Sequence, residues 1–224
     1  MLTRDFLISA DCHSALGVIE DRLYWTEEQR AASLAATLAQ RPAGEALWVF
    51  GYGSLMWNPA IEYAERATAT LEGWHRAFCL HLTAGRGTPR KPGRMLALSQ
   101  GGETQGVAYR LDEQTMSHEL CLLWRREMIT GCYIPSWCAL TLEDGRQVHG
   151  LAFVMDSRHA LYKADSSLDV VAPLIASAGG PLGSNADYLY SLEKELRSLG
   201  LDDPNLHGFS QRVRELQQLN CVEK

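Results

Sequence analysis

Residues 48–59 read W-V-F-G-Y-G-S-L-M-W-N-P and constrain the chain more than any other stretch. Trp48, Val49 and Phe50 are consecutive large apolar residues, the pattern of a short strand buried on both faces. Gly51 and Gly53 then interrupt it. Glycine weakens a strand, so it marks a bulge, a tight bend or the close approach of another group. Ser54 follows with a small hydroxyl, and Pro59 pushes Asn58 away from the helical region, which closes the segment. A strand ending in such a turn presents several backbone N–H groups at one place. It is either a nest that can hold a carboxylate or phosphate, or an ordinary tight turn.

With 224 residues, 46% of them hydrophobic, the chain can bury a sizeable core in one domain with an appendage. Residues 1–46 are expected to be a helical extension packed on the body, and residues 47–224 the body itself. The net charge of −6 and pI near 5.6 argue against nucleic acid or an anionic membrane as partner. No apolar run approaches the ~20 residues that span a bilayer. Asp5 and Asp11 break the apolar stretch a signal peptide needs, so a cytoplasmic protein is expected. The six cysteines (Cys12, Cys79, Cys121, Cys132, Cys138, Cys221) form no C-x-x-C and read as buried free thiols. The seven histidines form neither H-x-H nor H-E-x-x-H, so no metal site is expected. Ser54 is not in G-x-S-x-G, and G-Y-G-S-L lacks the last glycine of a dinucleotide fingerprint. No cofactor is expected.

Along the chain, Thr26 and Gln29 form a capping box for an alanine-rich helix reaching about Gln40. No catalytic role is indicated for it. Residues 67–82 read as one long or two short strands around Glu72-Gly73, with Phe78, Leu80 and Leu82 alternating with Cys79 and His81. A hairpin is expected from 95–98 to 107–111, turned at Gly101-Gly102, and a second from 137–142 to 148–155. Short strands and tight turns point to an antiparallel or mixed sheet able to close into a small barrel. Later come a helix at 166–177, one capped by Ser184 or Asn185 with Leu189, Leu192, Leu196 and Leu199 on one face, and a last one at 204–219. Tyr188 lies in the first turn of the second of these, as packing or as a ligand contact.

Residues 85–94, G-R-G-T-P-R-K-P-G-R, cannot form regular structure. Arg86, Arg90, Lys91 and Arg94 concentrate positive charge on an acidic protein. The loop is either solvated surface or a mobile basic lid over an anionic small molecule, and a lid would control KM more than kcat.

A helix is expected over 113–129 with Asp112 as N-cap. Met116, Leu120 and Leu123 recur at helical spacing, and the next residue on that face is Glu127. A carboxylate in a core position, at the helix C-terminus, has its pKa pushed up by burial and by the macrodipole. That suits a general acid or base near neutral pH. The plainer alternatives are a salt bridge to Arg76 or Arg126, or exposure at a frayed helix end.

The ordered set F-G-Y-G-S-L-M-W-N-P at 50–59, G-R-G-T-P-R-K-P-G-R at 85–94, G-V-A-Y-R-L at 106–111 and W-R-R-E-M-I-T-G-C-Y at 124–133 resembles the ChaC family. N-A-D-Y-L at 185–189 extends the resemblance over roughly residues 47–200, and the helix before Pro42 resembles the N-terminal extension of bacterial members. The loop departs from the pattern at Arg90, where some members have glycine. The resemblance implies an α+β fold of the γ-glutamylcyclotransferase type, a small mixed β-barrel surrounded by helices. It implies conversion of glutathione to 5-oxoproline and Cys-Gly. The Tyr52, Gly53, Ser54 and Leu55 turn would hold the γ-glutamyl carboxylate through backbone N–H groups. Glu127 would be catalytic, Tyr188 would match the family's C-terminal tyrosine, and Arg86 in the basic rim suits the anionic substrate. The competing expectations are a cyclotransferase for other γ-glutamyl compounds and a non-catalytic glutathione-binding regulator.

Overall fold

The computed structural model describes residues 3–9, 17 and 19–222. Strand β1 (Trp48–Gly51) is buried at all four positions. It runs antiparallel to β3 (Gly93–Arg110) and parallel to β5 (Gln147–Met155), where Trp48 faces Gly150. Strand β2 (Glu65–Leu82) pairs with β3 and with β4 (Tyr133–Leu142), and β4 pairs with β5. The order β1-β3-β2-β4-β5 closes into a barrel. Closure gives every strand two partners and leaves no free edge.

Alternate side chains of the strands feed two cores. Trp48, Phe50, Phe78 and Leu98 pack with α4 (Leu168–Ser177), α5 (Asn185–Ser198) and α6 (Pro204–Val222). Val49, Cys79, Ala97 and Phe153 pack with α3 (Met116–Glu127). Near the N-terminus, Arg4 of α1 (Arg4–Ile8) forms a two-pronged pair with Glu119 of α3, which is 1% exposed. Helix α2 (Glu27–Leu38) starts at the reciprocal Thr26–Gln29 capping box. It lies against α3 and β4, with Trp124 donating to Ser33 Oγ and Trp137 to the Thr37 carbonyl.

The structure corrects three expectations. The first hairpin does not exist: β3 runs unbroken from Gly93 to Arg110, paired with β2 almost throughout. Gly101 and Gly102 do take positive φ, but in a bulge beside the register shift at Gly73 of β2, which has φ +81°. A positive-φ glycine serves a bulge as well as a turn, so the sequence signal was ambiguous. The true connection between β2 and β3 is the basic stretch, since Leu82 pairs with Gly93. Second, α3 starts at Met116, not 113, and its N-cap is Thr115 without a side-chain bond. Asp112 instead accepts from the Gln114 N–H and stabilises a turn ahead of the helix. Third, Cys79 and Cys132 are buried free thiols, but Cys138 is only half-buried and Cys121 is exposed. Asp11, Cys12 and His13 lie outside the described residues, as does the side chain of Cys221.

Three further glycines form part of a short hairpin, β6 (Gly179–Gly180) with β7 (Gly183–Ser184), which leads directly into α5. No described helix is long and apolar enough to cross a membrane.

Candidate active site

Two buried arginines bond the carbonyls of the turn after β1. Arg76 of β2 is 7% exposed and donates from Nε to the Tyr52 carbonyl at 2.8 Å, from Nη1 to Asp203 at 3.0 Å and from Nη2 to the Gln105 carbonyl. Arg126 of α3 is 5% exposed and donates from Nη1 to the Asn58 and Pro59 carbonyls and from Nη2 to Ser54 Oγ at 2.8 Å. Inside the turn, Met56 donates to the Gly53 carbonyl and Asn58 to the Ser54 carbonyl. The backbone N–H groups of Gly53, Ser54 and Leu55 have no acceptor among the described residues. These are the free donors a nest requires.

Small residues make the turn possible. A Cβ on Gly51 would sit 2.9 Å from Leu55 Cβ, and one on Gly53 would sit 2.8 Å from the Tyr188 hydroxyl oxygen. Neither glycine has a positive φ, so close approach and not backbone freedom is the constraint.

Glu127 is the last residue of α3, on the face of Leu120 and Leu123, both fully buried. Its side chain is 17% exposed and lines a cleft of about 180 Å³. Arg126 Nε lies 2.9 Å from Glu127 Oε1, yet its N–H is not aimed at that oxygen and makes no hydrogen bond. Burial pushes the Glu127 carboxyl above its ordinary pKa, and the neighbouring Arg126 charge opposes the rise without cancelling it. The salt-bridge alternative is therefore realised with Arg126, while Arg76 pairs with Asp203. Neither removes Glu127 from the cleft.

Tyr188 lies in the first turn of α5, which Ser184 and Asp187 cap reciprocally. It is 4% exposed, meets Trp57 edge-on with centroids 5.5 Å apart, and lines the same cleft. Burial and the Glu127 charge push its phenol pKa up, against Arg76, Arg126 and Arg86. Arg86 also lines the cleft and donates to the Ser184 carbonyl at 2.8 Å, so the basic stretch is tied to the start of α5. Burial lowers its pKa, with Asp187 and Tyr188 opposing.

The sequence-predicted residues thus separate into two sets. Glu127, Ser54, Tyr188 and Arg86 share the cleft wall. Tyr52, Gly53 and Leu55 stand behind it. The Tyr52 hydroxyl points into the barrel and donates to the Phe153 carbonyl, and Leu55 is buried in the α3 core. From these three, only backbone groups are available to a ligand. Of the basic stretch, Arg94 is buried, while Arg90 and Lys91 are exposed at the tip. The Gly85 carbonyl accepts from Leu182 N–H, so the first half of the loop is fastened down.

Sequence reasoning missed Trp57, Cys132 and Tyr133 in the wall, and the clamping role of Arg126. The second arginine of W-R-R-E was the available signal for Arg126, since it precedes the core-facing carboxylate. Burial pushes the Cys132 thiol up to about 12. Among the described residues, no three His, Cys, Asp or Glu side chains approach closely enough to hold a metal ion.

Comparison with known proteins bears on the fold and the family. A yeast γ-glutamyl cyclotransferase specific to glutathione has the same fold, with a TM-score of 0.71 at 23% identity over 77% of this chain and 97% of that one. The glutathione-specific γ-glutamylcyclotransferase of Escherichia coli (strain K12) is 62% identical over 96% of this chain and 94% of its own length. The human glutathione-specific γ-glutamylcyclotransferase 1 is 31% identical over 70% of this chain and 72% of its own. The family model described as ChaC-like protein matches residues 47–216, and the chain belongs to that family.

Proposed function

We infer that this protein is a glutathione-specific γ-glutamylcyclotransferase that releases 5-oxoproline and Cys-Gly. The observation that carries the chemistry is a mostly buried carboxylate, Glu127, in one cleft wall with Ser54 and Tyr188, beside a turn with three amide donors that have no acceptor among the described residues. The 62% identity to the E. coli enzyme over nearly the whole chain supports the choice of substrate.

The α-carboxylate of the γ-glutamyl group takes the amides of Gly53, Ser54 and Leu55. Arg86 adds positive charge at the rim. Glu127 accepts a proton from the α-ammonium, and the freed amine attacks the γ-carbonyl carbon. The new C–N bond closes a five-membered lactam, and the bond to the cysteine nitrogen breaks. Two protons leave the attacking nitrogen and two join the departing one, so Glu127 returns what it takes and no water is consumed. Attack within one bound molecule makes positioning a large part of the rate. Tyr188 packs beside the reacting group and confines it against the turn.

Purified protein is assayed for 5-oxoproline release from glutathione, with γ-Glu-Ala in parallel. Glu127→Gln is expected to lower kcat by about 10²–10⁴-fold with an unchanged circular dichroism spectrum. Retained turnover ends the Glu127 assignment. Turnover of both substrates favours a broader cyclotransferase, and binding without turnover favours the regulator. Because Glu127 must be ionised to take a proton, activity falls as pH drops through its pKa. Burial places that fall above the pH at which an exposed glutamate protonates. A kcat/KM profile with its acid limb in the ordinary glutamate range counts against this role. The unpaired thiols Cys79 and Cys132 support a reducing, cytoplasmic setting.

A further inference from the structure

We propose that residues 19–25 form the wall of the cleft on the side of the leaving dipeptide, so that the N-terminal segment helps to set which leaving groups are accepted. The proposal rests on the cyclotransferase reading above and extends it to residues outside the matched stretch 47–216.

Ile19 and Leu23 line the same cleft as Glu127. They are held there by a clasp on the loop that follows α3. The Trp25 N–H donates to the Ile129 carbonyl at 2.9 Å, two residues after Glu127. The Trp25 indole packs against Gly131, where φ is +62° and a Cβ would run into the ring. Arg30, 3% exposed, donates to the Trp25 carbonyl at 2.6 Å and fastens the segment to α2. The wall and the loop that directly follows Glu127 therefore form one packed unit.

The cleft's polar and apolar linings belong to different structural groups. Arg126 bonds Ser54 and flanks Glu127, and Tyr188 lies against Gly53, so the polar groups cluster around the turn. Leu80 pairs with Met95 across β2 and β3, the Leu161 carbonyl accepts from His81, and Ile129 holds Trp25. Ile19 and Leu23 complete this second, largely apolar group. A γ-glutamyl group, with its ammonium and carboxylate, takes the polar side. The apolar side is left to the dipeptide and fits a compact first side chain such as cysteine. A bulky or charged residue there meets desolvation, with His81 as the titratable side chain of that group.

The test compares wild type with Leu23→Ser, which adds a hydroxyl to the wall without touching the clasp. KM for glutathione is expected to rise about tenfold with kcat within about twofold, since the lost contact serves binding and not chemistry. Calorimetric titration of glutathione into Glu127→Gln, with and without Leu23→Ser, should show the same tenfold weakening. Gly131→Ala, which displaces Trp25, should raise KM in the same direction. Unchanged KM and Kd in Leu23→Ser overturn the proposal, as does a fall in kcat at constant KM. Absence of 5-oxoproline release by wild type refutes the reaction itself, and the Kd comparison still decides the wall.

Discussion

Two glycine-containing segments follow strands of this protein, one after the short β1 and one after the long β2, and they are held in different ways. The turn at 51–59 is fastened through its carbonyls by Arg76 and Arg126, both nearly inaccessible. The stretch at 85–94 is fastened at its ends, by β2–β3 pairing, by Leu182 to Gly85 and by Arg86 to Ser184, while Arg90 and Lys91 stay in solvent. In the first segment, cations from elsewhere organise a neutral backbone. In the second, a cationic segment uses part of its own charge to anchor itself. The count of charges in a loop therefore says little about how many reach a ligand.

The largest expected effect that tests this contrast is Arg126→Ala. It removes a buried guanidinium and its bonds to Asn58, Pro59 and Ser54, which should cost about 3 kcal/mol of stability. The loosened turn should lower kcat/KM by about 10²-fold, read by urea unfolding and steady-state kinetics. Gly53→Ala comes next. Its Cβ meets the Tyr188 oxygen at 2.8 Å, so a drop in kcat/KM of about tenfold is expected, with a stability loss of about 1 kcal/mol. Arg86→Ala should raise KM about fivefold and leave kcat nearly constant, because the charge sits at the rim. The double change Arg90→Ala, Lys91→Ala should move KM by less than about twofold. If this tip variant matches Arg86→Ala, the basic stretch works as a lid after all and the contrast between the segments fails.

Features set by neighbours in sequence could be read in advance. The Thr26–Gln29 capping box and the Glu127 position on the α3 face both follow from short-range spacing. Features set by distant partners could not. Gly101-Gly102 carries the same local signal for a turn as for a bulge, and only pairing with residues near Gly73 decides between them. The cleft wall at Ile19 and Leu23 is a tertiary contact with residues far along the chain, so nothing in the N-terminal segment announced it. Tyr52 and Leu55 fell inside a motif, yet their side chains are claimed by the core.

Arg76 also has a bearing on when the protein becomes competent during its synthesis. Its guanidinium joins Tyr52, Gln105 and Asp203, the last separated from it by 127 residues. A growing chain that has not yet delivered Asp203 has a cation destined for burial and no carboxylate to meet it. Contacts of such long sequence separation form late and slowly, because the intervening chain must be ordered first. The amide donors of the turn are therefore expected to reach their final arrangement only after Asp203 has been made, although the residues bearing them are among the first quarter to emerge.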